Sequence, residues 1–292
     1  MDLGIYQSPL TETREAEIAL CAFSKLAPMS APNPIGHRFG LQATRYDAVS
    51  EVQQYLAAQL WKSAQPWLPS PLAATLDIGS GTGHLALHLA QAKPQELHLL
   101  DLSASMLSEA QAHLEASGAT VPLRLHVADA EIWSPAVDQP PFDFIGSSAA
   151  LQWFCDLPRF LERLRTWKKA TGVVALATFG PQTLCELHAA YVQATGMELH
   201  GGTRMQTPAS LILALQNAGF QIHTSGCELY HMPHSSARGM LGDLKSMGVT
   251  GGTSKALTRT QLRTLEAVLE QDAVADNRQI RSTWELVWVV AT

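Results

Sequence analysis

Short apolar runs alternate with helix-period segments through the middle of the chain. The apolar runs cover residues 72–78, 96–102, 122–129, 142–148 and 172–179. The helix-period segments between them cover residues 84–92, 103–118 and 157–169. Strands that alternate with helices of this length are typical of parallel βαβ units, whose crossovers are right-handed. The pattern therefore predicts an α/β fold with a doubly wound, mostly parallel sheet.

The final third of the chain departs from this alternation. Helical patterns cover residues 183–194, 209–219, 235–248 and 258–271, and strand patterns cover residues 220–232 and 282–291. The two final strands indicate a sheet that ends in an antiparallel pair. The additional helices are predicted to form a lid over the carboxyl ends of the strands, where such sheets bind their ligands.

The N-terminal part is predicted to be an extension of one large domain. We expect the extension over residues 1–37 and the domain over 38–292, with the lid helices within about 181–271. A short amphipathic helix is predicted from Thr13 to Leu26, and a second helix from Ala43 to Lys62.

Composition narrows the class of protein. Hydrophobic residues make up 46% of the chain and charged residues 16%, which is enough to build a full core. The net charge of −6 argues against a general nucleic-acid binder. Apolar runs fall short of the roughly 20 residues of a membrane span, and the first residues lack the pattern of a signal peptide. The four cysteines form no C-x-x-C pair, so no metal site is predicted. We therefore expect a cytoplasmic protein without membrane or nucleic-acid partners.

The strongest motif is the segment DIGSGTG, from Asp77 to Gly83, where the first strand turns into a helix. Glycines allow a sharp turn and a close approach to a ligand, and the free N–H groups of the helix start favour a carboxylate or phosphate. A tight turn without a ligand is the alternative. The dinucleotide fingerprint needs glycine or alanine at the position of His84, which argues against a nicotinamide-dependent oxidoreductase.

Acidic residues follow the next two strands. Asp101 lies 18 residues after Gly83 and can accept both hydroxyls of a ribose. Its alternative role as a helix cap is better filled by Ser103. Asp129 and Glu131 follow the third strand, where an acid can accept an adenine amino group or belong to an ordinary polar loop. Acids at three successive strand ends favour one shared ligand site.

The segment SSAALQWF follows the fourth strand. It places small residues, beginning with Ser147, beside Gln152 and Trp153. Such a segment could line a narrow channel to the ligand, or Trp153 could simply pack in the core.

Several segments closely resemble the malonyl-[acyl-carrier protein] O-methyltransferases of biotin synthesis. They read SSAALQWFCDLPRFLERL, LATFGPQTLCELHAAY, SARGMLGDLKSMGVTG and ALTRTQLRTLE. The segment RFGLQATRYD, residues 38–47, resembles the N-terminal F-G-x5-Y element of that family. The resemblance runs from about residue 38 to the C-terminus, and LKSMGVT is more discriminating than the glycine motif. The chain departs from the family in its first 35 residues and in WKKATG, which replaces an R-P-G-G type of turn.

The resemblance implies a Rossmann-like, class I fold and S-adenosylmethionine as cofactor. In that family Asp77 and the glycines hold the methionine part, Asp101 the ribose and Asp129 the adenine. The full set of predicted cofactor residues is Asp77, Gly79, Ser80, Gly81, Gly83, Asp101, Leu102, Met106, Asp129, Ala130, Glu131 and Ser147.

The implied reaction is methylation of the free carboxylate of a malonyl thioester, on acyl carrier protein or coenzyme A. A carboxylic acid titrates at roughly pH 4, so the acceptor is already ionised at pH 7 and needs no general base. Tyr46, Gln152 and Trp153 are predicted to form the catalytic site, and Tyr46 could instead pack against a helix.

Residues 236–263 carry five basic side chains and one acidic side chain. We expect Lys245, Arg259 and Arg263 to bind the carboxylate or the acidic carrier protein, although lid cations are often merely solvated. Two other functions stay open: methylation of another small acceptor, and a non-catalytic protein that binds S-adenosylmethionine.

Overall fold

The computed structural model describes residues 34–198, 205–247, 257–275 and 279–292. The helix predicted at Thr13–Leu26 and most of the predicted N-terminal extension lie outside the described residues. The boundary at residue 37 therefore stays a prediction.

Seven strands of the described residues form one sheet. They are β1 (Ala74–Ile78), β2 (Glu96–Asp101), β3 (Leu123–Val127), β4 (Phe142–Ser148), β5 (Lys168–Phe179), β6 (Ile222–His234) and β7 (Ile280–Ala291). The order is β3-β2-β1-β4-β5-β7-β6. Strands β1 to β5 are parallel, whereas β7 is antiparallel to both β5 and β6. The predicted doubly wound sheet with an antiparallel C-terminal pair is confirmed.

Helices cover both faces of this sheet. Those of the described residues are α1 (Pro34–Tyr46), α2 (Glu51–Ala64), α3 (His84–Gln91), α4 (Ala104–Ala116), α5 (Leu157–Trp167), α6 (Cys185–Thr195), α7 (Pro208–Asn217), α8 (Ala237–Ser246) and α9 (Arg259–Ala275). None of the described helices is long and apolar enough to cross a membrane.

The helix predicted from Ala43 to Lys62 is wrong, because the chain leaves the helical conformation between α1 and α2. Asp47 in this turn accepts a hydrogen bond from Thr82 Oγ1 at 2.6 Å, and Ser50 Oγ lies 3.0 Å from His84 Nε2. The turn between α1 and α2 is thus tethered to the loop between β1 and α3. A contact between distant parts of the chain interrupts a helix that the local pattern would continue.

Each face of the sheet has its own core. Helices α2, α3, α4, α6, α8 and α9 pack on one face, and α5 and α7 pack on the other. On the first face, Leu85 and Leu89 of α3 are buried against Phe144 of β4. Each such leucine contributes about 1.5–3 kcal/mol through burial, so α3 and the glycine loop before it are firmly held. Of the predicted lid helices, α6, α8 and α9 belong to this same core, whereas α7 packs on the other face beside α5.

The strand order reverses between β1 and β4. The chain proceeds from β1 to β2 and β3 on one side, then returns to β4 and β5 on the other. In open α/β sheets the crevice at such a reversal, outside the carboxyl ends of the strands, is the usual ligand site. The predicted cofactor loop and the SSAALQWF segment follow the two strands that border this crevice.

Candidate active site

The glycine loop between β1 and α3 is built around left-handed backbone. Gly79 has φ 67° and Gly81 has φ 53°. A Cβ on Gly79 would lie 2.3 Å from Ala150 Cβ, so the loop and the segment after β4 touch there. A Cβ on Gly81 would meet no atom within 4 Å in the described structure. Among the described residues, this side of the Gly81 backbone is therefore open, as a ligand-binding loop requires.

Asp77 is a buried carboxylate with a free oxygen. Its side chain is 1% exposed, and its Oδ2 has no hydrogen-bond partner among the described residues. Burial, together with the negative charge of Asp101, raises the pKa of the Asp77 carboxyl to about 8. Ionisation of a buried carboxyl of this kind is favoured by a ligand that brings positive charge or hydrogen-bond donors.

Asp101 joins the glycine loop to α4. Its Oδ2 accepts the Gly81 N–H at 3.0 Å, and its Oδ1 accepts the Ser103 N–H at 2.8 Å. Burial raises the pKa of this carboxyl. Ser103 caps α4, since its Oγ accepts the Met106 N–H at 3.3 Å. The expectation that Ser103 fills the cap is confirmed, and Asp101 lies at the end of β2 with both carboxylate oxygens accepting backbone N–H groups.

Helix α1 crosses the end of β2. A Cβ on Gly36 would lie 2.8 Å from Leu102 Cβ, so only glycine permits this approach. The side chain of Met106, on the first turn of α4, is buried. The predicted contact Leu102 therefore lies directly against α1, just after the end of β2 where a ribose is expected.

The acids after β3 have local partners. Asp129 Oδ1 accepts the Glu131 N–H at 2.9 Å, and Ala130 between them is buried. The Glu131 carboxylate accepts the backbone N–H groups of Cys155 and Asp156, the latter at 2.7 Å. Glu131 thus fastens the loop before α5, a role that the spacing along the sequence did not predict.

Two other predicted site residues also make internal hydrogen bonds. Ser147 Oγ donates to the Ile78 carbonyl at 2.8 Å and ties β4 to β1. Ser80 Oγ donates to the Asp77 carbonyl at 2.8 Å within the glycine loop. Both hydroxyls hold the walls of the crevice in place.

Gln152 is fixed by two hydrogen bonds. Its Nε2 donates to the Ala149 carbonyl at 2.7 Å, and its Oε1 accepts from Thr178 Oγ1 at 3.0 Å. The side chain is buried. With both ends of the amide occupied, Gln152 shapes the segment after β4.

Three aromatic side chains meet beside this segment. The ring of Phe39 on α1 packs edge-on against Trp153, with centroids 5.6 Å apart, and against Tyr46 at 6.2 Å. Tyr46 also stacks on His84. The structure thus brings the predicted residues Tyr46 and Trp153 together through Phe39. Phe39 was not predicted as a site residue, although it is the phenylalanine of the F-G-x5-Y element.

Tyr46 is held as a neutral phenol. Burial, then the negative charges of Asp101 and Asp47, raise the pKa of its hydroxyl. Asp47 itself lies 3.4 Å from His113 Nε2 and 3.5 Å from His84 Nε2, besides its bond to Thr82. This tether of α1 to the glycine loop was missed in the sequence, because no motif marks contacts between such distant positions.

A methyltransferase-domain family matches residues 75–172 of the chain. A malonyl-[acyl-carrier protein] O-methyltransferase of Paenibacillus sp. is 31% identical over 217 residues, covering 71% of this chain and 78% of the relative. The chain belongs to the malonyl-[acyl-carrier protein] O-methyltransferase family. Another relative of that name, from Magnetococcus marinus, is 32% identical over 73% of this chain and 76% of its own length.

A fused relative and a solved structure extend this likeness. The biotin biosynthesis bifunctional protein of Saccharophagus degradans is 29% identical over 89% of this chain, which spans only 46% of that longer protein. A solved Bacillus halodurans protein superimposes with a TM-score of 0.57 at 18% identity, over 80% of this chain and 97% of its own. The superposition confirms the Rossmann-like, class I fold.

This member of the methyltransferase family uses S-adenosylmethionine as cofactor. The described crevice fits that molecule. The free Oδ2 of Asp77 suits its positively charged groups, and the open side of Gly81 admits it close to the backbone. Asp101, at the end of β2, is the group that we expect to bind the ribose hydroxyls.

The predicted lid cations lie on the surface of the described structure. Lys245 on α8 and Arg259 and Arg263 on α9 are exposed. Among the described residues, no hydrogen bond or ion pair connects these three side chains to the crevice. Arg238 of α8 lies 3.8 Å from Glu266 of α9 and links the two lid helices.

Proposed function

We propose that this methyltransferase transfers the methyl group of S-adenosylmethionine to the free carboxylate of a malonyl thioester on acyl carrier protein. The product would be the methyl ester that primes biotin synthesis, made in the cytoplasm. The proposal rests on one observation: relatives named for this reaction are similar over most of the chain, at 31% and 32% identity. Malonyl coenzyme A carries the same free carboxylate and is the second proposed substrate. We also propose residues 38–292 as the catalytic domain, with residues 1–37 as an extension.

In the proposed reaction the main task of the protein is to align the cofactor with the acceptor carboxylate. When bound, S-adenosylmethionine supplies a methyl on a positively charged sulfur, which keeps the electron pair of the broken bond as the carboxylate oxygen takes the methyl. The acceptor is already an anion at pH 7, so no residue has to remove a proton. Holding the two reactants in line and excluding water can contribute about 7–11 kcal/mol.

Helix α1 is suited to this alignment. Phe39 and Tyr46 place aromatic surface over the segment after β4, next to Trp153. The neutral Tyr46 phenol is a hydrogen-bond donor for a carboxylate and brings no negative charge of its own. Gln152, whose amide is fully engaged, would act by holding the loop that carries Trp153.

Methyl transfer to three carrier-linked acids tests the proposal. We expect methyl ester formation on malonyl-acyl carrier protein and none on acetyl-acyl carrier protein, because only malonate offers a free carboxylate. Succinyl-acyl carrier protein, one methylene longer, should react more slowly. Product would be measured as radiolabelled methyl on the carrier. Equal transfer to the acetyl carrier, or none to the malonyl carrier, would contradict the proposed reaction.

The lid is the proposed docking surface for the carrier. Acyl carrier proteins are strongly acidic, and this chain is itself acidic, with a net charge of −6. The segment 236–263 is the local exception, and its exposed cations in the described structure are Arg238, Lys245, Arg259 and Arg263. Arg259 and Arg263 are four residues apart on α9 and share a helix face. Such exposed charges mainly raise the rate of association.

Arg263→Glu is expected to raise the apparent KM for malonyl-acyl carrier protein by roughly threefold to tenfold at low salt, with cofactor affinity unchanged. The difference should shrink at physiological salt, where the Debye length is about 8 Å. Steady-state kinetics at two salt concentrations measure both effects. Arg159→Glu makes the same charge change at an exposed position of α5, on the other face of the sheet, and should leave KM unaltered. If both variants behave alike, the carrier docks elsewhere.

A further inference from the structure

Three buried side-chain atoms of the described residues have no hydrogen-bond partner. They are Gln53 Oε1, Asp77 Oδ2 and Ser148 Oγ. Burying a polar group without a partner is unfavourable, so each such atom in a native protein calls for an explanation. Asp77 has one, since it faces the cofactor crevice. Ser148 has none among the residues assigned so far.

Ser148 is the last residue of β4 and therefore borders the crevice at the strand reversal. It pairs with Ala177 of β5, which belongs to the core beneath α2 and α3. Asp77 of β1 pairs with Gly146, two residues before Ser148. Side chains two positions apart on a strand share a face of the sheet. Asp77 and Ser148 thus flank the crevice on the same face of two neighbouring strands.

The backbone after Ser148 is strained and firmly held. Ala149 has φ 57°, a left-handed conformation that residues other than glycine rarely adopt. Its N–H donates to the Ala177 carbonyl at 3.0 Å, and its carbonyl accepts from Gln152 at 2.7 Å. Strain that the surroundings maintain in this way is concentrated at functional sites. Here the strained residue Ala149 follows the last residue of β4 and fixes the backbone next to Ser148.

The preceding residue provides a natural comparison. The hydroxyl of Ser147 donates a hydrogen bond to the Ile78 carbonyl at 2.8 Å, and this bond joins β4 to β1. The hydroxyl of Ser148 makes no such bond in the described structure. Of these two adjacent serines, Ser147 therefore has an internal hydrogen-bond partner, whereas the hydroxyl of Ser148 is free to bind a ligand.

We propose that Ser148 binds the acceptor, its hydroxyl donating a hydrogen bond to the carboxylate oxygen that does not attack the methyl. This proposal rests on the proposed carboxylate methylation. Once Asp77 is ionised against the cofactor, the Ser148 hydroxyl is the only one of the three unpartnered atoms that can donate a hydrogen to an anion. The free atom of Gln53 is a carbonyl oxygen, with the amide nitrogen 3.6 Å from Met247 Sδ, and that of Asp77 is a carboxylate oxygen.

Ser148→Ala tests this role, and Ser147→Ala serves as the comparison for stability alone. We expect Ser148→Ala to raise the KM for malonyl-acyl carrier protein about tenfold, the effect of one hydrogen bond to a charged group. Its affinity for S-adenosylhomocysteine should stay at the wild-type value. Calorimetric titration of malonyl carrier into protein saturated with S-adenosylhomocysteine should show the same loss without turnover. Ser148→Thr keeps the hydroxyl and should stay within about threefold of wild type.

Stability separates a ligand-binding hydroxyl from a structural one. Ser147→Ala should lower the unfolding midpoint, because the Ile78 carbonyl loses its donor. Ser148→Ala should not lower it, because no internal bond is lost. A wild-type carrier affinity in Ser148→Ala, or a drop in stability equal to that of Ser147→Ala, would overturn the role of Ser148 alone. Inactivity of the wild-type protein toward malonyl carrier would instead overturn the proposed function.

Discussion

Asp77→Asn is expected to weaken S-adenosylmethionine binding by tenfold or more and to stabilise the cofactor-free protein. The carboxylate is buried, and one oxygen is unpartnered in the described structure. Asparagine has the same shape without the charge, so it removes both the attraction for the cofactor's positive groups and the penalty of burying an anion. Calorimetry and thermal unfolding, each with purified cofactor-free protein, measure the two effects.

The pH dependence of stability follows from the sign of the pKa shift. The pKa of Asp77 is about 8 in the folded protein and about 4 in the unfolded chain. Between these values the folded state binds the extra proton, so wild-type stability falls as pH rises from about 4 to about 8. The advantage of Asp77→Asn over wild type should therefore grow across this window and level off above it. An advantage that shrinks with rising pH would contradict the raised pKa.

Cofactor affinity should follow the opposite trend. Below pH 8 the proton must leave Asp77 before the carboxylate can face the cofactor, so wild-type affinity should fall by up to about tenfold per pH unit. The Asp77→Asn profile should be flat. Asp143→Asn is the control, since Asp143 lies at the start of β4 and pairs with Lys169 at 2.7 Å. It should reduce stability without altering affinity. Wild-type affinity that is constant from about pH 6.5 to 8.5 would exclude Asp77 from the cofactor site.

Gly79→Ala should destabilise the protein by about 2–5 kcal/mol, the sum of overpacking and left-handed backbone strain. The added Cβ would lie 2.3 Å from Ala150 Cβ at φ 67°. Gly81→Ala is the matched variant, because its φ of 53° is similar and no atom of the described structure lies within 4 Å of the new Cβ. It should cost only about 1–2 kcal/mol. Urea unfolding gives both values.

The same pair of variants also tests where the cofactor lies. Gly81→Ala should fold and yet bind S-adenosylmethionine more weakly, because its methyl group enters the open side of the loop. Equal loss of stability in the two variants would show that the contact with Ala150 is not tight. Unchanged cofactor affinity in Gly81→Ala would place the ligand away from that side.

The strands could be predicted closely because their signal is local. The apolar run at 142–148 coincides with β4, Phe142–Ser148, and the run at 96–102 with β2, Glu96–Asp101. A change of period from two to 3.6 residues is contained within a few neighbours along the chain. The end of the helix α1 could not be predicted in this way. It depends on the bond between Asp47 and Thr82, which are 35 positions apart.

For the site residues, the position in the fold could be predicted from the sequence, but the hydrogen-bond partners could not. The glycine motif and the acids at strand ends were readable, because sheet topology places the carboxyl ends of parallel strands together whatever the remaining sequence. The hydrogen-bond partners of the individual polar side chains could not be predicted from the sequence. Glu131 binds the loop before α5, and Gln152 binds Ala149 and Thr178. These partners come together only when separate helices, strands and loops pack, and the local sequence pattern contains no information about that packing.

By itself the sequence determined the class of fold, the family and the location of the glycine loop, since these follow from periodicity and short motifs. The tertiary structure alone decided which polar atoms have partners. Ser147 and Ser148 are the same residue type at adjacent positions, and only the first reaches a carbonyl of the neighbouring strand. Successive side chains on a strand point to opposite faces, so what each one meets is set by distant parts of the chain.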